Sequence, residues 1–207
     1  MTHFDLKKPR LLWHVKAKRS KSARCFPIRV HSNVVQVLVA LGSNVGESLV
    51  HLQEATALLA SQMKLLATSR IYETAPMYVE NQAAFLNAAI LLETDWSPLQ
   101  VLATLKQNEL QIGRQKRQQN GPREIDLDLI AYGCLAYSYR EGHDLRLQIP
   151  HPRLRERRFV LEPLADIAPE YVIPGMGPVI TLLSQTEHQR ESVRTIEHAL
   201  LPIQGLG

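Results

Sequence analysis

Cysteine is scarce in this 207-residue chain. Cys25 and Cys134 lie far apart, too few for a disulfide framework or a four-ligand zinc site, and point to a reducing compartment. No apolar run approaches the roughly 18 residues of a membrane span. No apolar core of about 7–15 residues follows the N-terminal charges, so a secretory signal is not expected. Internal repeats and low-complexity tracts are absent too. A phosphate loop is missing: the glycine turn Gly42–Gly46 is not followed by Lys-Ser or Lys-Thr, and G-x-G-x-x-G does not occur. Any ATP would therefore be held by arginines and metal rather than by a glycine-rich cradle. What remains is 45% hydrophobic and 21% charged, a balance that excludes wholesale disorder and suits one sizeable domain.

The formal charge of +4 and pI of about 9.2 suggest nucleic acid or an anionic surface at first reading. The distribution argues otherwise. Residues 1–34 hold nine basic residues against one acid, Asp5, a local charge of +8, so residues 35–207 carry −4. Three readings stay open for the arm. It is basic, acid-poor and holds Ser20, Ser22 and Ser32, as organellar transit segments do. It could equally be a binding tail for nucleic acid or a membrane surface, or a dispensable extension.

An ordered body begins near Val34. Val34 to Leu41 is β-branched and nearly all apolar, as in a buried strand. In the following turn Asn44 and Glu47 are spaced as a capping box. Leu49, Leu52, Ala55, Leu59 and Met63 recur at helical spacing. Leu65 to Glu73 reads as a second strand, Thr74 to Ala84 as a loop and Phe85 to Glu93 as a third strand. Ser97-Pro98 is an N-cap with proline in the first turn, opening a helix to about Gln111. Residues 112–124 form a polar, basic loop, and Ile125 to Tyr132 a fourth strand. Leu145 to Ile149 is a short strand, 158–167 a helix, Tyr171 to Ile173 an edge strand, and the tail beyond Gly177 is helical. The order βαββαβ predicts an α+β fold, the ferredoxin-like sandwich, with helices packed on a mainly antiparallel sheet. Three parts are expected: a flexible extension 1–34, a domain 35–175 and a helical tail 176–207.

Chemistry concentrates in four places. On a strand, Asp126 and Asp128 point to one face while Ile125, Leu127 and Leu129 face the other. Paired carboxylates suit magnesium, which takes one or two of them and completes its shell with water and phosphate oxygens; an exposed face that happens to carry two acids is the plainer alternative. Arg114, Lys116, Arg117 and Arg123 stand just before them, a phosphate-binding set or a solvated basic loop. Glu109 is an acid on a mainly apolar helical stripe, which alone reads as a helix-end residue with its head in water. Four arginines crowd residues 153–158, a possible RNA-binding face, and His151 sits between two prolines, aimed at a ligand or simply structural. The turn at 41–46 is weak evidence by itself.

Four blocks in order resemble the 6-hydroxymethyl-7,8-dihydropterin pyrophosphokinase family. They are Leu-Gly-Ser-Asn-Val-Gly (41–46), Phe-Leu-Asn-Ala-Ala (85–89), Gly-Pro-Arg-Glu-Ile-Asp-Leu-Asp-Leu (121–129), and Pro-His-Pro-Arg (150–153) with Arg-Arg-Phe-Val-Leu-Glu-Pro-Leu (157–164). The resemblance covers roughly two thirds of the chain, Val35 to Ile173. It implies transfer of diphosphate from ATP to a pterin alcohol in folate biosynthesis, with AMP released. By resemblance, Asp126 and Asp128 bind two Mg2+ ions, and Arg114 and Arg123 engage the triphosphate as catalytic groups. Glu109, Arg117, Arg146, His151 and Arg157 make further ATP contacts. Phe85 and Phe159 sandwich the pterin, Asn87 reads its edge, and Thr74, Pro76 and Met77 lie in a contacting loop. Loops 74–84 and 112–124 are implied lids. Asn120 stands where some family members have Trp, and Pro152 where some have Tyr. A cytoplasmic monomer is expected, with organellar targeting by the arm as a variant. The alternatives are a basic nucleic-acid-associated binding protein and a catalytically inactive relative.

Overall fold

The computed structural model describes residues 34–75, 83–115 and 121–201. In chain order the elements are β1 (Val35–Ser43), α1 (Ser48–Gln62), β2 (Lys64–Thr68), β3 (Ile71–Thr74), β4 (Phe85–Thr94), α2 (Pro98–Ile112), β5 (Asp126–Tyr132), β6 (Tyr137–Glu141), β7 (Asp144–Ile149), α3 (Arg158–Ile167), β8 (Val172–Ile173), β9 (Gly177–Pro178), α4 (Val179–Ser184) and β10 (Val193–Ile196). The main sheet runs β10-β3-β4-β1-β5, with β2 also pairing β4, and every pairing in it is antiparallel. This is the ferredoxin-like α+β arrangement expected from the pattern.

β1 lies between β4 and β5 and is buried on both faces, which is why its sequence is a continuous apolar run rather than an alternation. Val37, Val39 and Leu41 pack with Leu52 and Leu59 of α1 and Leu105 of α2. Leu38 and Ala40 face Val160, Leu161 and Leu164 of α3 and Leu182 of α4 on the opposite side. Both faces are therefore covered by helices, and a cleft lies on the α3 side.

Local signals explain the helix ends, with one reversal. α2 starts as expected: Ser97 Oγ accepts from Gln100 N–H at 3.3 Å and Gln100 Oε1 accepts from Ser97 N–H at 2.9 Å, with Pro98 at the first position. It ends at Gly113, whose φ of 108° is a left-handed value that glycine adopts freely. The expected box at the start of α1 does not form. Glu47 is the N-cap and makes no side-chain cap bond, while Asn44 is turned to other partners described below.

Three further expectations change. The strand at Leu65–Glu73 is split into β2 and β3, because Ser69 takes over the ladder: its N–H donates to Ala89 O at 2.9 Å and its Oγ accepts from Ala89 N–H at 2.8 Å. β6 was not legible, since its Tyr-Ser-Tyr-Arg-Glu run has no buried residue and pairs only with β7 in a separate hairpin. Among the described residues the tail is α-helical only over the six residues of α4, with a 3-10 turn at Glu187–Ser192. Its β-branched Val-Arg-Thr-Ile segment returns as β10 and adds to β3. Tyr171 precedes a two-residue strand, β8, paired with β9. Residues 1–33 of the arm lie outside the described residues.

Candidate active site

β5 is the edge strand of the main sheet, and its alternation has the predicted result. Leu127 and Leu129 enter the core beneath α1 and α2, so Asp126 and Asp128 stand on the α3 face. Strand register then lines up a row across that face: Asp126 opposite Gly42, Gly42 opposite Asn87, and Asn87 opposite Tyr72. Gly42 is needed there, because a Cβ would come within 3.2 Å of Asn87 Oδ1. Asn87 is itself held by Nδ2 donating to Thr74 Oγ1 at 2.8 Å.

The row floors a solvent-open cleft of about 730 Å³. Thr74, Phe85, Asn87 and Phe159 line it together with Arg123, Asp126, Asp128 and Arg157. Thus the pairs that the resemblance assigns to pterin and to nucleotide share one cavity. Arg157 connects them: its guanidinium lies 5.7 Å above the Phe159 ring and its Nη1 is 3.7 Å from Asp128 Oδ2.

Asp126 is gripped from two sides. Arg114 Nη1 donates to Oδ1 at 2.7 Å and Arg123 Nη1 to Oδ2 at 2.6 Å. Burial would raise its pKa, but the Arg123 and Arg114 charges outweigh burial and hold the carboxyl below its ordinary range. Asp128 has no comparable partner. Burial first and the Asp126 charge second push its carboxyl up to about 6. Arg123 and Arg157 in the cleft, with Arg114 behind Asp126, suit an anion, while the adjacent carboxylates suit a cation beside it. Among the described residues no group of three or more His, Cys, Asp and Glu gathers. A metal here would therefore take at most these two carboxylates, a donor set that suits magnesium with water and phosphate oxygens filling the shell.

The other expected residues fall in different places. Glu109 is only 3% exposed and does not sit with its head in water. Its Oε1 accepts from Leu127 N–H at 2.8 Å and Lys106 Nζ at 2.7 Å, tying α2 to the strand between the two aspartates. It also pairs with Arg114. Lys106 escaped notice in the sequence, although its position three residues before Glu109 on a helix was a legible signal. His151 N–H donates to Ile130 O, and Nδ1 accepts from Arg153 N–H at 3.3 Å, which leaves Nε2 as the protonated nitrogen. Burial, then Arg157 and Arg153, lower its pKa to about 4. Arg146 sits on the β6–β7 hairpin, half-exposed and paired with Glu141 and Asp144. Pro76, Met77, Lys116, Arg117 and Asn120 lie outside the described residues, as do parts of both implied lids.

The arginine cluster at 153–158 does not form a basic face. Arg158 is buried and paired with Glu162 and Glu187, Arg155 donates to Gly175 O, Arg153 pairs with Glu156, and Arg157 turns into the cleft. Helix and turn geometry send neighbours in sequence to different sides.

A carboxylate pair on the edge strand of a ferredoxin-like sheet, beside arginines in one cleft, marks an α+β domain whose site concentrates acids and guanidinium groups together. The family model for 7,8-dihydro-6-hydroxymethylpterin-pyrophosphokinase matches residues 38–169, and the chain belongs to that family. It is 41% identical over 132 residues to the 2-amino-4-hydroxy-6-hydroxymethyldihydropteridine pyrophosphokinase of Bacillus subtilis, covering 62% of this chain and 75% of that protein. It is 40% identical over 141 residues to the mitochondrial folate synthesis bifunctional protein of Pisum sativum, covering 68% of this chain but 26% of that one. The fold is shared with the Plasmodium falciparum HPPK-DHPS solved with pteroate, at a TM-score of 0.63 and 16% identity over 79% of this chain and 46% of the other. The chain thus spans about a quarter of the length of such plant relatives and most of the bacterial one.

Proposed function

We propose that this protein transfers a diphosphate group from ATP to the hydroxymethyl group of 6-hydroxymethyl-7,8-dihydropterin and releases AMP, as a magnesium-dependent monomer whose site residues all lie within 35–175. The observation that carries this reading is the Asp126–Asp128 pair facing Arg114, Arg123 and Arg157 in the same cleft as Phe85, Asn87 and Phe159. The family membership agrees with it. The aromatic pair offers π-faces to a flat ring, and Asn87 an amide to its polar edge. Arg114 and Arg123 leave Asp126 and engage the triphosphate, placing fixed positive charge where negative charge develops on the transferring oxygens. Asp126 and Asp128 would hold magnesium, which supplies further neutralisation of the phosphate oxygens when bound. The pterin hydroxyl oxygen forms a bond to the β-phosphorus and its proton passes to solvent, the bond from that phosphorus to the α–β bridging oxygen breaks, and AMP carries away the electron pair. Because the transition state is loose, alignment and charge suffice and no strong general base is required. His151, neutral at physiological pH, donates through Nε2 to the nucleotide; Arg146 and Arg117 supply outer contacts, and Thr74, Pro76 and Met77 border the pterin.

The protein works in the cytoplasm, or in an organelle if 1–34 acts as a transit segment; the pea and Arabidopsis relatives carry mitochondrial names. Among the described residues no helix is long and apolar enough to cross a membrane. The test supplies ATP, magnesium and the reduced pterin and separates the nucleotide products. AMP in step with pterin consumption, abolished by chelator, is the expected result. ADP in place of AMP, or no product, overturns the reading.

A further inference from the structure

We infer that Asn44 is a positioning residue that braces both walls of the cleft at once, so that the arginine serving the triphosphate and the aromatic serving the pterin are set by one side chain. This rests on the diphosphotransfer reading of the site.

Asn44 follows β1, the strand held between β4 and β5, and is 6% exposed. Its backbone N–H donates to Arg123 O at 3.1 Å, and its Oδ1 accepts from Arg123 N–H at 2.9 Å. Its Nδ2 donates to Ala83 O at 3.1 Å. The two ends of the amide cannot be exchanged, since a flip would set Nδ2 against an N–H and Oδ1 against a carbonyl. Arg123 is the residue whose guanidinium holds Asp126. Ala83 stands two residues before Phe85, which lines the same cleft as Arg123. One buried amide thus joins loops 39 and 79 residues away to a rigid strand end. Neither loop has regular structure of its own at these points, so the amide sets where each enters the cleft. Sites lose rate steeply when such support slackens, by up to about a hundredfold for a displacement near 1 Å.

Asparagine is the side chain that does this. Asn44→Asp keeps the acceptor for Arg123 N–H and sets a carboxylate oxygen against Ala83 O. Asn44→Ala removes both bonds while leaving the backbone pair with Arg123.

The experiment measures kcat and both KM values by AMP release in the full chain, wild type against the two variants, together with hydrogen exchange at the Arg123 amide. Asn44→Asp should raise the pterin KM about tenfold with the ATP KM within about threefold of wild type. Asn44→Ala should raise both, and speed exchange at Arg123 where Asn44→Asp does not. A purely structural role would lower stability without that split between substrates. Equal effects of Asn44→Asp on both substrates, or unchanged constants in a folded Asn44→Ala, overturn the inference. If Asn44→Ala does not fold, the split in Asn44→Asp decides. If the wild type releases no AMP, the functional reading fails, and the Arg123 exchange comparison still accepts or rejects the brace.

Discussion

Arg114 Nη1 lies 2.7 Å from Asp126 Oδ1, so an arginine suited to a polyphosphate rests on a carboxylate suited to a metal. The same guanidinium also pairs with Glu109, whose place is fixed by Leu127 N–H and Lys106. Asp126 is shared with Arg123 on its other oxygen. On the proposed reading, Arg114 and Arg123 would exchange a carboxylate for phosphate oxygens, and Asp126 and Asp128 would be freed to hold the cation.

Removing one arm of the clamp tests this directly. Arg123→Ala should lower kcat/KM by about 10²–10³, the usual loss for one donor to developing charge. Arg123→Lys should not restore it, because a point charge cannot hold Asp126 and the loop carbonyl of Gly121 together. Steady-state AMP release measures both; near-wild-type rates in either would move the clamp elsewhere.

The pH dependence of stability follows from two groups of opposite sign. Asp128, raised to about 6, keeps its proton in the folded state where an unfolded carboxyl, near 3.8, has lost it. Between those values folding takes up a proton, and stability falls as pH rises. His151, lowered to about 4, stays neutral where the unfolded imidazole, at 6.5, is charged. Its contribution falls as pH drops through that window. The two nearly cancel between pH 4 and 6. Asp128→Asn removes one of them, so with chelator present the variant should be more stable by about 1–3 kcal/mol above pH 6. It should then lose more stability than the wild type on acidification from pH 6.5 to 4, because the opposing Asp128 contribution is gone. Urea melts across pH 4–8 check this, and parallel curves for the two proteins would refute it.

Gly42→Ala should weaken pterin binding specifically. The added methyl would press on Asn87 Oδ1 at 3.2 Å, and Asn87 cannot yield without losing Thr74. The pterin KM should rise about tenfold with the fold intact, read from kinetics and from an unchanged circular dichroism spectrum. Retained affinity would show that Asn87 is free to move.

Ser69→Ala should destabilise the protein by about 1–3 kcal/mol, because it leaves the fully buried Ala89 N–H without an acceptor. A drop in the urea midpoint with unchanged slope is the expected signature.

Much of this molecule is written in local pattern. The alternation of Ile125 to Leu129 alone puts Asp126 and Asp128 on one face, since side-chain direction on a strand has a period of two. Ser97-Pro98 marks the start of α2 because a cap needs only residues within one turn. Arg114 and Arg123 were legible beside the aspartates for the same reason of proximity in the chain. Asn44 was misread as a cap, because its spacing to Glu47 is local while its true partners lie 39 and 79 residues away. Glu109 was misread as solvated, because its burial depends on β5 arriving against α2. The division of Leu65–Glu73 at Ser69 depends on β4 in the same way. Sequence by itself determined the core βαββαβ pattern, the carboxylate pair and the basic loop, which are set by backbone periodicity and nearest neighbours. Only the tertiary structure decided which arginines turn into the cleft, what Glu109 and Asn44 hold, and that Phe85, Asn87 and Phe159 meet Asp126 and Asp128 in one cavity. Those outcomes depend on strand register and helix packing between segments far apart in the chain, and no local preference encodes them.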